Sequence, residues 1–159
     1  MEVGGGLGYP ASALSNFAPH KFTLDGVECA SMEGFLQGLK YKSVEMQANV
    51  CTLTGKAAKF KGKKKAWYRT QTLYWQGTPY PRSSAAYQNL IDRAYNAMFE
   101  QSESFKKALL ASGKDAVYKH SIGKNDAART VLTISEFCSR LMKLKKKAFD
   151  EKVQNNRGT

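Results

Sequence analysis

Tyr87, Leu90, Ile91, Ala94, Tyr95 and Met98 recur at steps of three and four, so the pattern predicts a long helix over residues 85 to 101 with one buried stripe. Ser84 stands where its N-cap belongs. Ser102 caps a further helix that ends near Ser112-Gly113, with Gly113 as the residue that turns the chain out of it. Thr133-x-x-Glu136 has the spacing of a capping box and opens another helix, with Phe137, Leu141 and Leu144 inward. Nearer the start, Ser31 caps a shorter helix over residues 31 to 41, where Glu33 sits in the first turn and Phe35, Leu36 and Leu39 are free to enter a core. Residues 57 to 65 suit one more short helix, loosened at Gly62.

Between these segments the pattern is irregular. Residues 9 to 30 hold a hairpin turning at Asp25-Gly26, the strongest short turn signal in the chain. Residues 77 to 81 read as a turn-rich loop carrying two prolines, and residues 116 to 120 as a short strand or extended segment. From Lys145 onward charged and amide residues take over. The expected fold class is mostly α with a few short strands (α+β), in one compact domain over residues 1 to 147. A charged helical extension fraying into a disordered tail is expected over residues 148 to 159.

A chain of 159 residues suits one domain with a real core. No apolar run approaches the roughly 18 residues of a membrane span, and the glycine-rich start lacks the basic and apolar regions of a signal peptide. Cys29, Cys51 and Cys138 are scattered and odd in number, which fits free thiols in a reducing cytoplasm. With only His20 and His120 beside them, neither a metal cluster nor a cofactor is expected, and carboxylate-bound Mg²⁺ is the metal alternative left open.

The placement of the formal charge of +12 says more than its size. From Met46 to Ile91 there is no Asp or Glu, while Lys56, Lys59, Lys61, Lys63, Lys64, Lys65 and Arg69 are followed by Trp67, Tyr68, Tyr74, Trp75 and Tyr80. Positive charge interleaved with aromatic rings suits phosphate contacts plus base or sugar stacking, with Lys61, Lys63, Lys64, Lys65 and Arg69 as the nucleic-acid contacts. A solubilising lysine-rich surface, with part of the aromatic set in the core, fits the same residues.

Candidate chemistry concentrates on the helix of residues 31 to 41. Glu33, Gln37 and Lys40 are spaced i, i+4, i+7 and share one helical face, so a carboxylate, an amide and an amine lie within about 10 Å. That row suits acid/base and nucleophilic work, and equally a solvated face with a weak ion pair. Gly34 and Gly38 lie inside the helix, where each costs about 1 kcal/mol; close approach of a ligand or of another backbone explains both. Asn16 and Phe17 can grip a nucleotide or sugar, or form a local turn with a buried ring. His120, Asp126 and Arg129 fall in a loop rich in glycine, asparagine and charge; Asp126 also suits a turn cap, and Arg129 can meet a pyrophosphate as a fork.

Leu14-Ser15-Asn16-Phe17, then Phe22 to Ala30, then Ser31-x-Glu33-x-x-x-Gln37-x-x-Lys40 resembles the opening of the NADAR (NAD- and ADP-ribose-associated, YbiA-like) family. Looser likeness continues at residues 94 to 99 and 120 to 144, including Leu132-Thr133-x-x-Glu136-Phe137. The resemblance implies an N-glycosidase that splits the bond between a ribose carbon and a base-type nitrogen. Some members remove ADP-ribose from guanine in DNA, reversing toxin-type ADP-ribosyltransferases; others act on small riboflavin-pathway aminals. It implies Lys40 as nucleophile through a Schiff base and Glu33 as proton shuttle; direct attack of water on an oxocarbenium-like ribose is the other route. Asn16, Phe17, Gln37, Trp67, His120, Asp126 and Arg129 then match substrate-binding positions. The basic aromatic segment favours ADP-ribosylated DNA as partner and ADP-ribose as product, in the cytoplasm of a bacterium or phage-infected host. A metabolite glycosidase and a module that binds ADP-ribose or nucleic acid without turnover are the other classes.

Overall fold

Asp25 and Gly26, at φ of 50° and 80°, reverse the chain in a two-residue turn with both central residues left-handed. The turn joins β1 (Phe22–Leu24) to β2 (Val27–Cys29), antiparallel with Phe22 opposite Cys29. Gln76 and Gly77, at 50° and 83°, do the same between β3 (Thr72–Trp75) and β4 (Thr78–Pro81). The Asp25 carboxylate links both hairpins to a helix, accepting from Trp75 Nε1 at 2.8 Å and from Arg93 at 2.8 and 3.0 Å. The computed structural model describes residues 1–157 and holds these strands in two separate two-stranded sheets.

Helices carry the rest of the core: α1 (Met32–Gly38), α2 (Val44–Cys51), α3 (Gly55–Lys63), α4 (Ala85–Gln101), α5 (Glu103–Ala111) and α6 (Ile134–Arg157). Every residue of α1 is buried, because it packs against α2, α3 and α4. Ser31 caps it as the sequence predicts, its hydroxyl accepting from the Gly34 N–H at 3.0 Å. The glycines of α1 are there for neighbouring chain: a Cβ on Gly34 would stand 2.5 Å from the Leu53 carbonyl, and one on Gly38 3.0 Å from Cys51 Sγ. The α4 stripe is buried as predicted, with Tyr87, Ile91 and Ala94 at 0% exposure. The chain is one domain, mostly helical.

Four expectations change. The helix at residue 31 stops at Gly38, and the Lys40 and Tyr41 N–H groups bond to the Gln37 and Gly38 carbonyls in a tightened last turn, so Lys40 lies just beyond α1. Residues 77 to 81 belong to the β3–β4 hairpin rather than to a loop. Residues 116 to 120 supply only a single parallel bridge, Lys119 to Glu2. The domain boundary after residue 147 is no boundary, because α6 runs unbroken to Arg157. Ala148 is buried on the core, and Glu151 pairs with Lys106 at 3.6 Å, which extends the docked face past the expected break. Residues 158 and 159 of the expected tail lie outside the described residues. Among the described residues no helix is long and apolar enough to cross a membrane.

Candidate functional site

A cavity of about 250 Å³ opens beside α1. Glu33 and Leu36 form its floor, Gly5 and residues 15 to 17 one wall, Lys59 of α3 another, and residues 120 to 124, 130 to 134 and Phe137 the far side. Three segments distant in sequence therefore meet at Glu33.

Asn16 locks the near wall to the core. Its carbonyl accepts from the Glu33 N–H at 3.0 Å, and its Oδ1 accepts from the buried Tyr95 hydroxyl at 2.6 Å. Desolvation holds that phenol well above its ordinary range, so Tyr95 is a fixed donor. Phe17 lines the cavity beside Asn16, its N–H bonded to Ser15 Oγ at 3.1 Å. Across the opening, His120 Nδ1 is 2.8 Å from the Val3 carbonyl, which can only accept, so the proton sits on Nδ1 and Nε2 is left for other partners. The ring stands edge-on to Phe137 at 5.4 Å. Gly123 threads between these groups: a Cβ there would come within 2.7 Å of both His120 and Ile134.

Glu33, Gln37 and Lys40 come together, with unequal access to the cavity. Glu33 is 8% exposed and on the cavity wall. Burial pushes its carboxyl above the ordinary 4.5, against the opposing pull of the Gln37 hydrogen bond and of the Lys40, Lys59 and His120 charges. Gln37 Nε2 donates to Glu33 Oε1 at 2.8 Å, while its own Oε1 is buried without a partner. Lys40 Nζ donates to the Gly62 carbonyl at 3.3 Å. Burial lowers its pKa from 10.5, the Glu33 charge opposes that, and Lys124 reinforces it. Glu33 and Lys40 are not among the ion pairs of the described residues. Both groups are thus biased toward their neutral forms, the state in which an amine is nucleophilic and a carboxylic acid can donate a proton.

Gln37 and Lys40 stand behind the wall rather than in it. Gln37 is instead wedged against α3, where a Cβ on Gly62 would fall 1.6 Å from its Oε1. Trp67 is 7% exposed and part of the hydrophobic core, so its ring does not face the cavity. Asp126 is a turn residue: its carboxylate accepts from the Ala128 N–H at 3.0 Å and its carbonyl from Arg129 and Thr130, which turns the loop outward. Arg129 lies over the Tyr68 ring at 4.6 Å and does not line the cavity. Lys61, Lys63, Lys64, Lys65 and Arg69 are all exposed, on and just beyond α3.

Lys59 and Lys124 are the cationic side chains that line the cavity; neither stands out in the sequence from the lysines around it. Tyr95 was legible only as a core residue of α4. Glu136 keeps its capping-box role, with Thr133 N–H on Oε1 at 2.8 Å and its own N–H on Thr133 Oγ1 at 3.1 Å. It also receives a fork from buried Arg82, at 3.1 and 2.5 Å, which fastens β4 to the start of α6. Among the described residues no three His, Cys, Asp or Glu side chains gather as a metal-binding group.

Residues 8–146 match the family described as Bacteriophage protein GP30.3. A relative from Enterobacteria phage T4, "Uncharacterized 17.1 kDa protein in Gp30-rIII intergenic region", is 41% identical over 142 residues, spanning 86% of this chain and 91% of that protein. The NMR structure of the E. coli protein YbiA superposes with a TM-score of 0.61 at 16% identity, covering 96% of this chain and 86% of YbiA. That likeness is one of fold, and it agrees with the fold implied by the residues around Glu33.

Proposed function

The chain belongs to the bacteriophage GP30.3 family and has the fold of YbiA, and from that premise we propose that it is an N-glycosidase that removes ADP-ribose from a base, guanine foremost, in DNA. The observation that carries the reading is the Glu33–Lys40 pair. An acid pushed up by burial and an amine pushed down by it lie beside one cavity without forming an ion pair. A binding module has no use for such a pair.

In the reaction the neutral Lys40 amine leaves the Gly62 carbonyl, enters the cavity and attacks the anomeric carbon of the base-linked ribose. The carbon–nitrogen bond to the base breaks, and Glu33 gives its proton to the departing nitrogen. Opening of the sugar ring leaves a Schiff base on Lys40. Glu33, now ionised, takes a proton from water as its oxygen adds to the imine carbon, and collapse returns free lysine and ADP-ribose. Asn16 and Phe17 hold the sugar from one side and His120 from the other. Lys59 and Lys124 supply positive charge for phosphate at the cavity.

A second reading, cleavage of a small phosphorylated aminal, is favoured by the cavity volume of about 250 Å³, which holds a ribose and one phosphate but leaves an adenosine outside. The test is direct. The protein is incubated with DNA carrying ADP-ribose on guanine, and separately with an aminophosphoribosyl compound. Release of free ADP-ribose supports the DNA reading, turnover of the small compound alone supports the second, and neither product removes both.

A further inference from the structure

Phe60 and Tyr68 are placed where a fold does not need aromatic rings. Phe60 is 58% exposed and Tyr68 38% exposed. Each has a cation over it: Lys64 Nζ at 4.5 Å from the Phe60 ring centre and the Arg129 guanidinium at 4.6 Å from that of Tyr68. The second pair is held in place by Gln71, whose side-chain amide donates to the Tyr68 and Ala128 carbonyls, both at 2.8 Å. Tyr68 follows Lys64 by four residues, so the two ring–cation units are within about 14 Å along the chain.

Both units border the cavity in sequence: Lys59, which lines it, precedes Phe60 on α3, and Thr130, which also lines it, follows Arg129. The α3 surface is also free of carboxylates from its own segment, since none occurs between Glu45 and Asp92. We propose that Phe60 with Lys64 and Tyr68 with Arg129 form a stacking platform for single-stranded DNA, leading the strand from α3 to the cavity. Every base offers a flat face to an exposed ring, and the cation beside each ring meets the phosphates. A duplex keeps its base faces stacked inside and can use only the charges. The proposal rests on the DNA reading of the cavity and names the form of DNA it takes.

Fluorescence anisotropy with a short unmodified oligonucleotide tests it, apart from any cleavage. Phe60→Ala and Tyr68→Ala, both at exposed positions, are expected to weaken single-strand binding about fivefold or more each, and to leave duplex binding unchanged. Unchanged single-strand affinity in both variants, or a wild-type affinity for duplex equal to that for single strand, overturns the proposal. Ring-dependent binding in a protein that releases no ADP-ribose would leave the platform standing and remove only the glycosidase reading.

Discussion

Lys40, just beyond the end of α1, bonds to the carbonyl of Gly62 and not to Glu33 in the first turn of that helix. The carbonyl orients the amine without the full counter-charge that would keep it protonated. Selective acylation of Lys40, followed by mass spectrometry across pH, should show a midpoint below the ordinary 10.5. In Glu33→Gln the midpoint should fall further, because the anion that supports the ammonium is gone. A midpoint at or above 10.5 would mean an inert lysine.

Lys40→Ala should abolish turnover and the adduct that borohydride traps on the wild-type protein. Peptide mapping of that adduct distinguishes Lys40 from Lys59 and Lys124, the two lysines that line the cavity. An adduct on Lys59 would transfer the nucleophile's role to α3.

Glu33→Gln keeps size but cannot exchange a proton, so kcat should drop by about 10² to 10⁴ with substrate affinity little changed. The wild-type profile should rise as Lys40 loses its proton and fall as Glu33 loses its own. The alkaline fall should disappear in the variant. Lost affinity at unchanged kcat would make Glu33 a ribose ligand.

Gly62→Ala should be severe for a conservative change. The new methyl would lie 1.6 Å from Gln37 Oε1, so Gln37 must leave its bond to Glu33 or α3 must move. A loss of about 1 to 3 kcal/mol is expected from overpacking, with loss of activity. Adding Gln37→Ala should restore stability but not full rate, and the double-mutant cycle should show coupling.

What the sequence made legible was whatever is written within one element. The caps at Ser31, Ser84 and Ser102, the Thr133–Glu136 box, the α4 stripe and the Glu33, Gln37, Lys40 face are all local patterns. α2 escaped because its exposed face carries Val44 and Met46, at 54% and 51% exposure, so its apolar residues do not mark the buried side. The β3–β4 hairpin escaped because Gln76, not Asn or Asp, takes the first left-handed position. Trp67, Asp126 and Arg129 stand away from the cavity lining, which the sequence cannot foretell because the way a loop residue faces depends on what arrives beside it from elsewhere. Lys59 and Lys124 were hidden among similar lysines for the same reason.

Arg82 and Glu136 give a stability prediction with a definite sign. Burial works against the ionised carboxyl, but the Arg82 fork, the Thr133 N–H and Gln88 outweigh it and hold the group at about 2. The stabilisation is present above about 4.5 and is lost as pH falls toward 2. Glu136→Gln should cost about 3 kcal/mol at neutral pH, since it leaves buried Arg82 without its counter-charge, and should flatten the acid limb of a denaturation profile. An unchanged acid limb would show that other carboxylates govern unfolding there.

The cavity draws its walls from residues 5 to 17, from α1 and α3, and from residues 120 to 137. No growing chain can possess it until the first turn of α6 has been made and brought back to the opening segment. Loop closures over more than a hundred residues form late and open early. A ligand held there therefore ties the two ends of the domain together, and its affinity is a gauge of whether the whole chain has folded.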